Sequence, residues 1–389
     1  MSMANILMIT QRYPYPTDRG DKVRVFNIAE QFSKHHNVVC LNFSESVPVQ
    51  QREDIFKTTY HCKKSQLKMA MDMLIAIFSW TPLQVAKFKS NKMNQMALEI
   101  IEKHKIDVVY GFHIRSLPVL KVIRKTYPNI KIIGDYTDTM GLYITRMKKF
   151  TKSLFLKLVL LIEQPRVEAY EKNNVTICTE VWLISEQDIN YHSEWKKHRK
   201  HFRCVSNGVS RQLLSNLEDK KNDNKIVFVG FMGVESIEAL RWFFDNVDPI
   251  LQKKLSNYSI ELIGKGAPDS FLNYLKKFPH ANAKGYVRDL KDVYQTAKVC
   301  IAPMIFVAGQ QNKVLEAMMA GVPVVATSFA NGGIQAKDNE EILIADTADG
   351  FSKKIQLIFD QPIAAKNIAK KAQKFVLNNF QWDNVPVNV

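Results

Sequence analysis

Short apolar runs recur along this chain, each followed by a stretch long enough for a helix. They are Ala4–Thr10, Val38–Phe43, Ile106–Phe112, Ile130–Tyr136, Val181–Ser185, Lys225–Phe231, Ser259–Gly266 and Val299–Met304. A strand with one wet face alternates apolar and polar residues. One that is apolar throughout is covered on both faces, as in a parallel sheet. The segments Gly20–Ser33, 66–80, 93–104, 146–172, Ile237–Lys254 and Ala364–Asn379 read as helices. Strands alternating with helices predict an α/β protein. The alternation breaks once, at the polar stretch "LEDKKNDNK" (Leu217–Lys225), and then restarts. The chain of 389 residues is long enough for two domains. The expected architecture is two Rossmann-like, doubly wound parallel-sheet domains: residues 1–210, a linker at 211–224, and residues 225–363. A terminal helix in 364–389 is expected to cross back to the first domain, because Phe375, Val376, Phe380 and Trp382 need an apolar partner. Ligands of such sheets bind at the carboxyl ends of the strands, which puts the expected site in the cleft between two sheets.

The net charge of +16 is unevenly spread. Residues 1–210 hold 32 Lys and Arg against 19 Asp and Glu, and the remainder 22 against 19. The first half therefore calls for an anionic partner. No basic-aromatic nucleic-acid motif is visible, which favours a membrane surface or a phosphorylated lipid. Lysines beside bulky apolar residues occur at 63–92 and 148–161, a pattern suited to a membrane interface. The plainer reading makes those apolar residues core and the lysines a solvated rim. No apolar run approaches the roughly 18 residues that span a bilayer. "ANILMIT" enters a strand directly and does not read as a signal peptide. The cysteines at 40, 62, 178, 204 and 300 are scattered, which fits reduced, buried thiols in a cytoplasmic protein and no metal site.

The stretch "QQNKVLEAMMAGVPVVAT" (Gln310–Thr327) carries the clearest chemistry. Asn312 reads as an N-cap, Gly321 as the C-cap, and Val322, Val324 and Val325 as a buried strand. Lys313 and Glu316 share a helix face at its first turn, where free backbone N–H groups attract anions. The bland alternative is a surface ion pair on an ordinary αβ unit.

The order of landmarks resembles that of retaining, nucleotide-sugar-dependent glycosyltransferases of the GT-B type, family four. The landmarks are a loop with Gly20 after the first strand, "SNGV", "VGF", "ELIGKG", "KGYVRDLKDVYQTAKVCIAPM" and "LEAMMAGVPVVAT". The loop "QRYPYPTDRGDKVR" further resembles a subgroup of bacterial sugar transferases associated with exopolysaccharide and exosortase systems. The family's hallmark is two Glu residues eight positions apart. Glu316 matches the second, which holds the donor ribose, whereas the first falls on Ala308. Where many relatives carry cations after "VG", this chain has Phe231 and Met232. The resemblance thus implies that Lys313 takes over the diphosphate. It also implies donor contacts at Gly230, Phe231, Gly264, Tyr286, Val287, Gly309, Gln311 and Asn312. Gly20, Asp21, Lys22 and Arg24 would lie toward the phosphates or the acceptor. His113 would help hold the donor sugar or the acceptor and, with Lys313, is the catalytic candidate; Asp135 and Asp138 would lie on the acceptor side.

The expected activity is transfer of a hexosyl group from a nucleotide sugar, with retention, to a glycan or lipid-linked acceptor. It would serve bacterial cell-envelope polysaccharide synthesis, with no metal or other cofactor. The expected setting is the inner face of a membrane, against an anionic surface. The competing readings are a nucleotide-sugar 2-epimerase of the same fold and a catalytically degenerate, basic membrane-binding protein.

Overall fold

Asn5–Thr10 forms β1 because its β-branched and aliphatic side chains are covered on both faces, with Ile6, Leu7 and Met8 fully buried. The computed structural model describes residues 3–17, 19–43, 51–151, 153–218, 223–307 and 309–388. Around β1 lie β2 (Asn37–Phe43), β3 (Thr58–Cys62), β4 (Val108–Phe112), β5 (Lys131–Thr137), β6 (Glu180–Leu183) and β7 (Phe202–Cys204). They form one sheet of order β3-β2-β1-β4-β5-β6-β7, with every pairing parallel. A second parallel sheet contains β8 (Lys225–Val229), β9 (Ser259–Ile263), β10 (Ala281–Gly285), β11 (Val299–Ala302), β12 (Val324–Ala326) and β13 (Leu343–Ile344). Its order is β10-β9-β8-β11-β12-β13. Strand order reverses between β1 and β4 in one sheet and between β8 and β11 in the other. These are the switch points where doubly wound sheets open for ligands.

The chain divides into one unit of Met1–Ser206 with Val385–Val389, and another of Asn207–Asn384. Part of the expected linker, residues 219–222, lies outside the described residues, as does Ala308. The helix Pro362–Asn379, expected to cross back to the first domain, instead packs against the helices Asn312–Met319 and Ala348–Asp360 of the second unit, which offer its apolar face a partner. Val376 and Phe380 join that unit's core. The chain then passes to the first unit, where the Val387 carbonyl lies 2.7 Å from His36 Nε2.

Two expected helices are broken, each for a local reason. The stretch 146–172 is divided between Met140–Phe150 and Leu154–Asn174, since Ser153 Oγ accepts from Leu156 N at 3.2 Å and caps a fresh start. The stretch 237–254 widens into a π turn at Phe243–Val247, directly before Pro249. Proline has no N–H to give and its ring crowds the carbonyl four residues back.

Inside the first unit, Arg24 is 1% exposed and Asp135 fully buried. Arg24 Nε and Nη2 donate to the two Asp135 oxygens at 2.8 and 2.9 Å, and Nη1 donates to the Val205 carbonyl at 2.9 Å. The Tyr110 hydroxyl donates to Asp135 as well. One planar cation thereby ties the Gly20–Ser33 helix to β5 and to the segment after β7. Both residues were expected at the phosphate or acceptor side, and both are instead spent on each other. We expect Arg24→Met to destabilise the protein by about 3–5 kcal/mol, because it leaves a buried carboxylate uncompensated. Adding Asp135→Asn should recover much of that loss, and urea unfolding of the two variants checks it.

Candidate functional site

The end of β8 supplies Gly230, whose N–H donates to the Ile263 carbonyl of β9 at 2.8 Å. The two loops meet so closely that a Cβ on Gly264 would lie 1.8 Å from the Gly230 carbonyl oxygen. With φ at +146° as well, position 264 admits only glycine without rearrangement. Gly264, Lys265, Gly266, Met232, Leu272 and Tyr286 line a cavity of about 290 Å³ at the carboxyl ends of β8, β9 and β10. Lys265 Nζ sits 4.2 Å from the Tyr286 ring centroid, and the exposed Tyr286 face offers a stacking platform. Phe231 is half exposed beside Gly266, while the Val287 side chain packs against the core.

Lys313 comes up from the other side of the switch point. The helix Asn312–Met319 buries Val314, Leu315, Ala317, Met318 and Met319, which fixes its rotation and brings Lys313 toward Gly230. A Cβ on Gly230 would lie 3.2 Å from Lys313 Nζ. That ammonium is 9% exposed and sits 4.2 Å from the Phe228 ring centroid and 3.5 Å from Met304 Sδ. It forms no ion pair with Glu316 or any other carboxylate among the described residues, so the surface-ion-pair reading does not hold. Burial lowers its pKa to about 8, partly offset by Cys300, Glu235 and Glu316. Glu316 is half-buried, and Tyr294 donates to its Oε2 at 3.4 Å. Burial raises the Glu316 carboxyl, against the pull of Tyr294 and Lys313. A buried ammonium resting on an aromatic face, a methionine sulfur and a helix N-terminus is arranged to meet an anion.

Asn312 is not the N-cap. Gln311 holds that position without a side-chain bond, and Asn312 Oδ1 accepts from Asn207 Nδ2 at 3.0 Å. Asn207 N donates to Gln310 Oε1 at 2.7 Å, so the "SNGV" segment braces the start of this helix. Gly309 is buried in the same loop with φ at +66°. Sequence reasoning missed Tyr294, Met304 and Lys265. Only Tyr294 left a signal, as a tyrosine on the face of a short amphipathic helix, Leu290–Thr296.

In the first unit, Gln11 after β1 donates from Nε2 to the Phe112 carbonyl at 2.7 Å, bridging that sheet's switch point. Gly20 starts the following helix, and Asp21 pairs with Arg12 at 2.8 Å. Lys22 is half-buried on its first turn. His113 follows β4 with φ at +61°, unusual for a side-chain-bearing residue. Its Nδ1 is buried without a partner, and burial next to Arg115 holds the ring well below the ordinary histidine range. Asp138, just past β5, is pushed up to about 7 by burial and by the carboxylates of Asp188 and Glu171. Those two are committed elsewhere: Asp188 accepts from Thr139 N at 2.9 Å and Glu171 from Met140 N at 2.7 Å. A neutral imidazole and a carboxyl that titrates near neutrality are suited to hydrogen-bonding sugar hydroxyls.

Residues 223–361 match the family model described as Glycosyl transferases group 1. Over 398 aligned positions the chain is 24% identical to an uncharacterized 44.6 kDa protein in the cps region of Klebsiella pneumoniae, covering 98% of each chain. Among solved structures it is similar to a sucrose-phosphate synthase from Thermosynechococcus elongatus, with TM-score 0.73, 16% identity and coverage of 98% and 96%. It is also similar to Anabaena HepE in complex with UDP, with TM-score 0.67, 11% identity and coverage of 97% and 96%. These likenesses establish the fold as that of the GT-B glycosyltransferases.

The lowered Lys313 pKa sets a stability profile. Its pKa falls from 10.5 in the unfolded chain to about 8 in the fold. Between those values the unfolded chain holds more protons, so stability rises with pH. We expect Lys313→Met to stabilise the protein at pH 7 by roughly 2–3 kcal/mol. That gain should shrink as pH climbs from 8 toward 10.5, in urea titrations across the range.

Proposed function

With a glycosyl transferases group 1 domain at residues 223–361 and the GT-B fold over the chain, we propose that this protein transfers a hexosyl group from a nucleotide sugar, with retention, to a glycan or lipid-linked acceptor. The observation that carries the reading is Lys313: a buried ammonium with no carboxylate partner among the described residues, at a switch point beside a helix N-terminus. A departing nucleoside diphosphate gains negative charge as the glycosidic bond breaks. A fixed cation in a poorly solvated site stabilises that charge far more than it could in water. Glu316, one helical turn on, has two oxygens to accept the ribose hydroxyls. The cavity beside Tyr286 and Lys265 takes the base. HepE was solved with UDP, which supports a uridine nucleotide as the first donor to try. On the first unit, His113 and Asp138 are the groups proposed for the acceptor hydroxyls.

In this reading Lys313 and the helix N-terminus replace the divalent cation that other sugar transferases use, so EDTA should leave the rate unchanged. The relative from a cps region supports polysaccharide assembly as the setting. Work on a membrane-anchored chain would place the enzyme peripherally on the cytoplasmic face.

The test is a panel of nucleotide sugars, read first by thermal shift and then by product analysis. Lys313→Ala should lower turnover by about 2–4 kcal/mol of transition-state stabilisation with a smaller loss in nucleotide binding. Glu316→Gln should weaken nucleotide binding by roughly 1–3 kcal/mol. Native rates in both variants would remove this site from consideration. An inverted anomeric signal in the product's proton spectrum would remove retention.

A further inference from the structure

The first unit carries large apolar side chains that its core does not use, and apart from Met3 they fall in two segments. On the helix Gln66–Ile77, Leu67, Met71, Leu74, Ile75 and Ile77 are exposed, while only Met69 and Ala76 are buried. Phe78, 93% exposed, and Trp80, 73% exposed, follow at once. On the first turns of the helix Leu154–Asn174, Leu154 and Phe155 are each 77% exposed, and Leu158, Leu161 and Ile162 are exposed too. Single exposed apolar residues are ordinary; a cluster of this size marks an interaction surface.

The two segments are joined. Arg166 Nη2 donates to the Ile77 carbonyl at 2.6 Å and Nη1 to that of Ala76 at 3.3 Å. Glu163 Oε2 accepts from Leu83 N at 2.9 Å. The end of the first helix thus lies against the middle of the second, and Phe78 and Trp80 follow it in the chain. The plainer sequence reading, in which these side chains are core, does not survive.

The charge around the patch has one sign. Residues 63–92 contain six lysines and one acid, Asp72, which Lys64 Nζ neutralises at 2.6 Å. Residues 146–162 contain Arg146, Lys148, Lys149, Lys152 and Lys157 and no acid. Lys63, Lys68, Lys89, Lys92 and Lys149 are exposed. A protein partner would be met by charges of both signs. A patch of Leu, Ile, Phe and Trp flanked by a large excess of Lys and Arg matches an anionic lipid surface. We propose that this face docks the first unit on an anionic bilayer, the apolar side chains entering the headgroup boundary and the lysines meeting lipid phosphates.

A recess of about 170 Å³ opens beside the same helix, lined by Gln11, Arg12, Lys64, Gln66, Lys87 and Phe88 among others, with no carboxylate in its wall. A headgroup carried in the docked membrane would meet Lys87 there, beside Arg12 and Lys64, which already pair with Asp21 and Asp72. The docking stands without the sugar-transfer reading; only this use of the recess rests on it.

The full chain is mixed with vesicles of phosphatidylcholine alone or with one third phosphatidylglycerol, and pelleted at low and high salt. It should pellet with the anionic vesicles at low salt and at least tenfold less in high salt or with neutral lipid. Phe78→Ser with Trp80→Ser and Phe155→Ser should weaken vesicle binding at least tenfold, and Lys68→Gln with Lys149→Gln should weaken it more at low salt than at high. All these positions are exposed, so an unchanged circular dichroism spectrum and melting temperature should accompany the loss. A chain that stays in the supernatant with anionic vesicles overturns the proposal. So does a dimer in light scattering that the same serine substitutions dissolve, since the face would then belong to a second copy. Sugar transfer to a soluble acceptor fragment should persist in the serine variant; its absence from both proteins would count against the transfer reading while leaving the docking result intact.

Discussion

A parallel ladder leaves every strand pointing the same way, and each return passage must cross a face of the sheet. That constraint organises both units. Helices cover the faces, so a ligand finds room at the strand ends. Where strand order reverses, between β8 and β11 and between β1 and β4, adjacent return passages diverge to opposite faces. Lys313 and Gly230 meet at one such point, and Gln11 and His113 flank the other. The chemistry-bearing side chains did not need a separate scaffold. They follow from where the topology leaves room.

Within that room, burial decides what each charge can do. Arg24 and Lys313 are both buried cations, yet they have opposite fates. The Arg24 fork is matched by both oxygens of Asp135, so its charge is compensated inside the fold. Lys313 has only a ring, a sulfur and distant carboxylates, so the fold holds it under tension that an incoming anion relieves. The same logic separates the acids. Asp188 and Glu171 accept backbone N–H bonds at the start of the Met140–Phe150 helix, which pull back carboxyls that burial raises, while Asp138 is pushed up to about 7.

How much of this was legible in the sequence depended on whether a strand is central or at an edge. β1, β2, β4, β5, β8 and β11 are covered on both faces and wrote largely apolar runs. β3, "TTYHC", and β10, "ANAKG", lie at sheet edges with half-wet faces, and nothing apolar announced them. The pairing of Lys313 with Glu316 on one helix face was readable from spacing. That they do not touch each other was not, because the rotation of the helix is set by Val314, Leu315 and Met318 against the sheet. Arg24 and Asp135 were misread because a charged residue at a strand end looks the same in sequence whether it faces a ligand or another charge 111 positions away.

The apolar segments near residues 70 and 158 show the same ambiguity in its most consequential form. An amphipathic helix that packs inward and one that faces a bilayer can share one pattern, since both need a broad apolar stripe with lysines at its margin. Only the tertiary fold says which side of the stripe is already covered. Here the inward demand is met by few residues, Met69 and Ala76 on one helix and Leu160 and Val167 on the other. The bulky remainder is a standing cost in water, since each such side chain forgoes about 1.5–3 kcal/mol of burial. A chain with no helix long and apolar enough to cross a membrane, among the described residues, can still recover that free energy by lying against one. On the docking proposal the net charge of residues 1–210 has the same origin: the lysines would stand where lipid phosphates meet them, beside the side chains that the bilayer would cover.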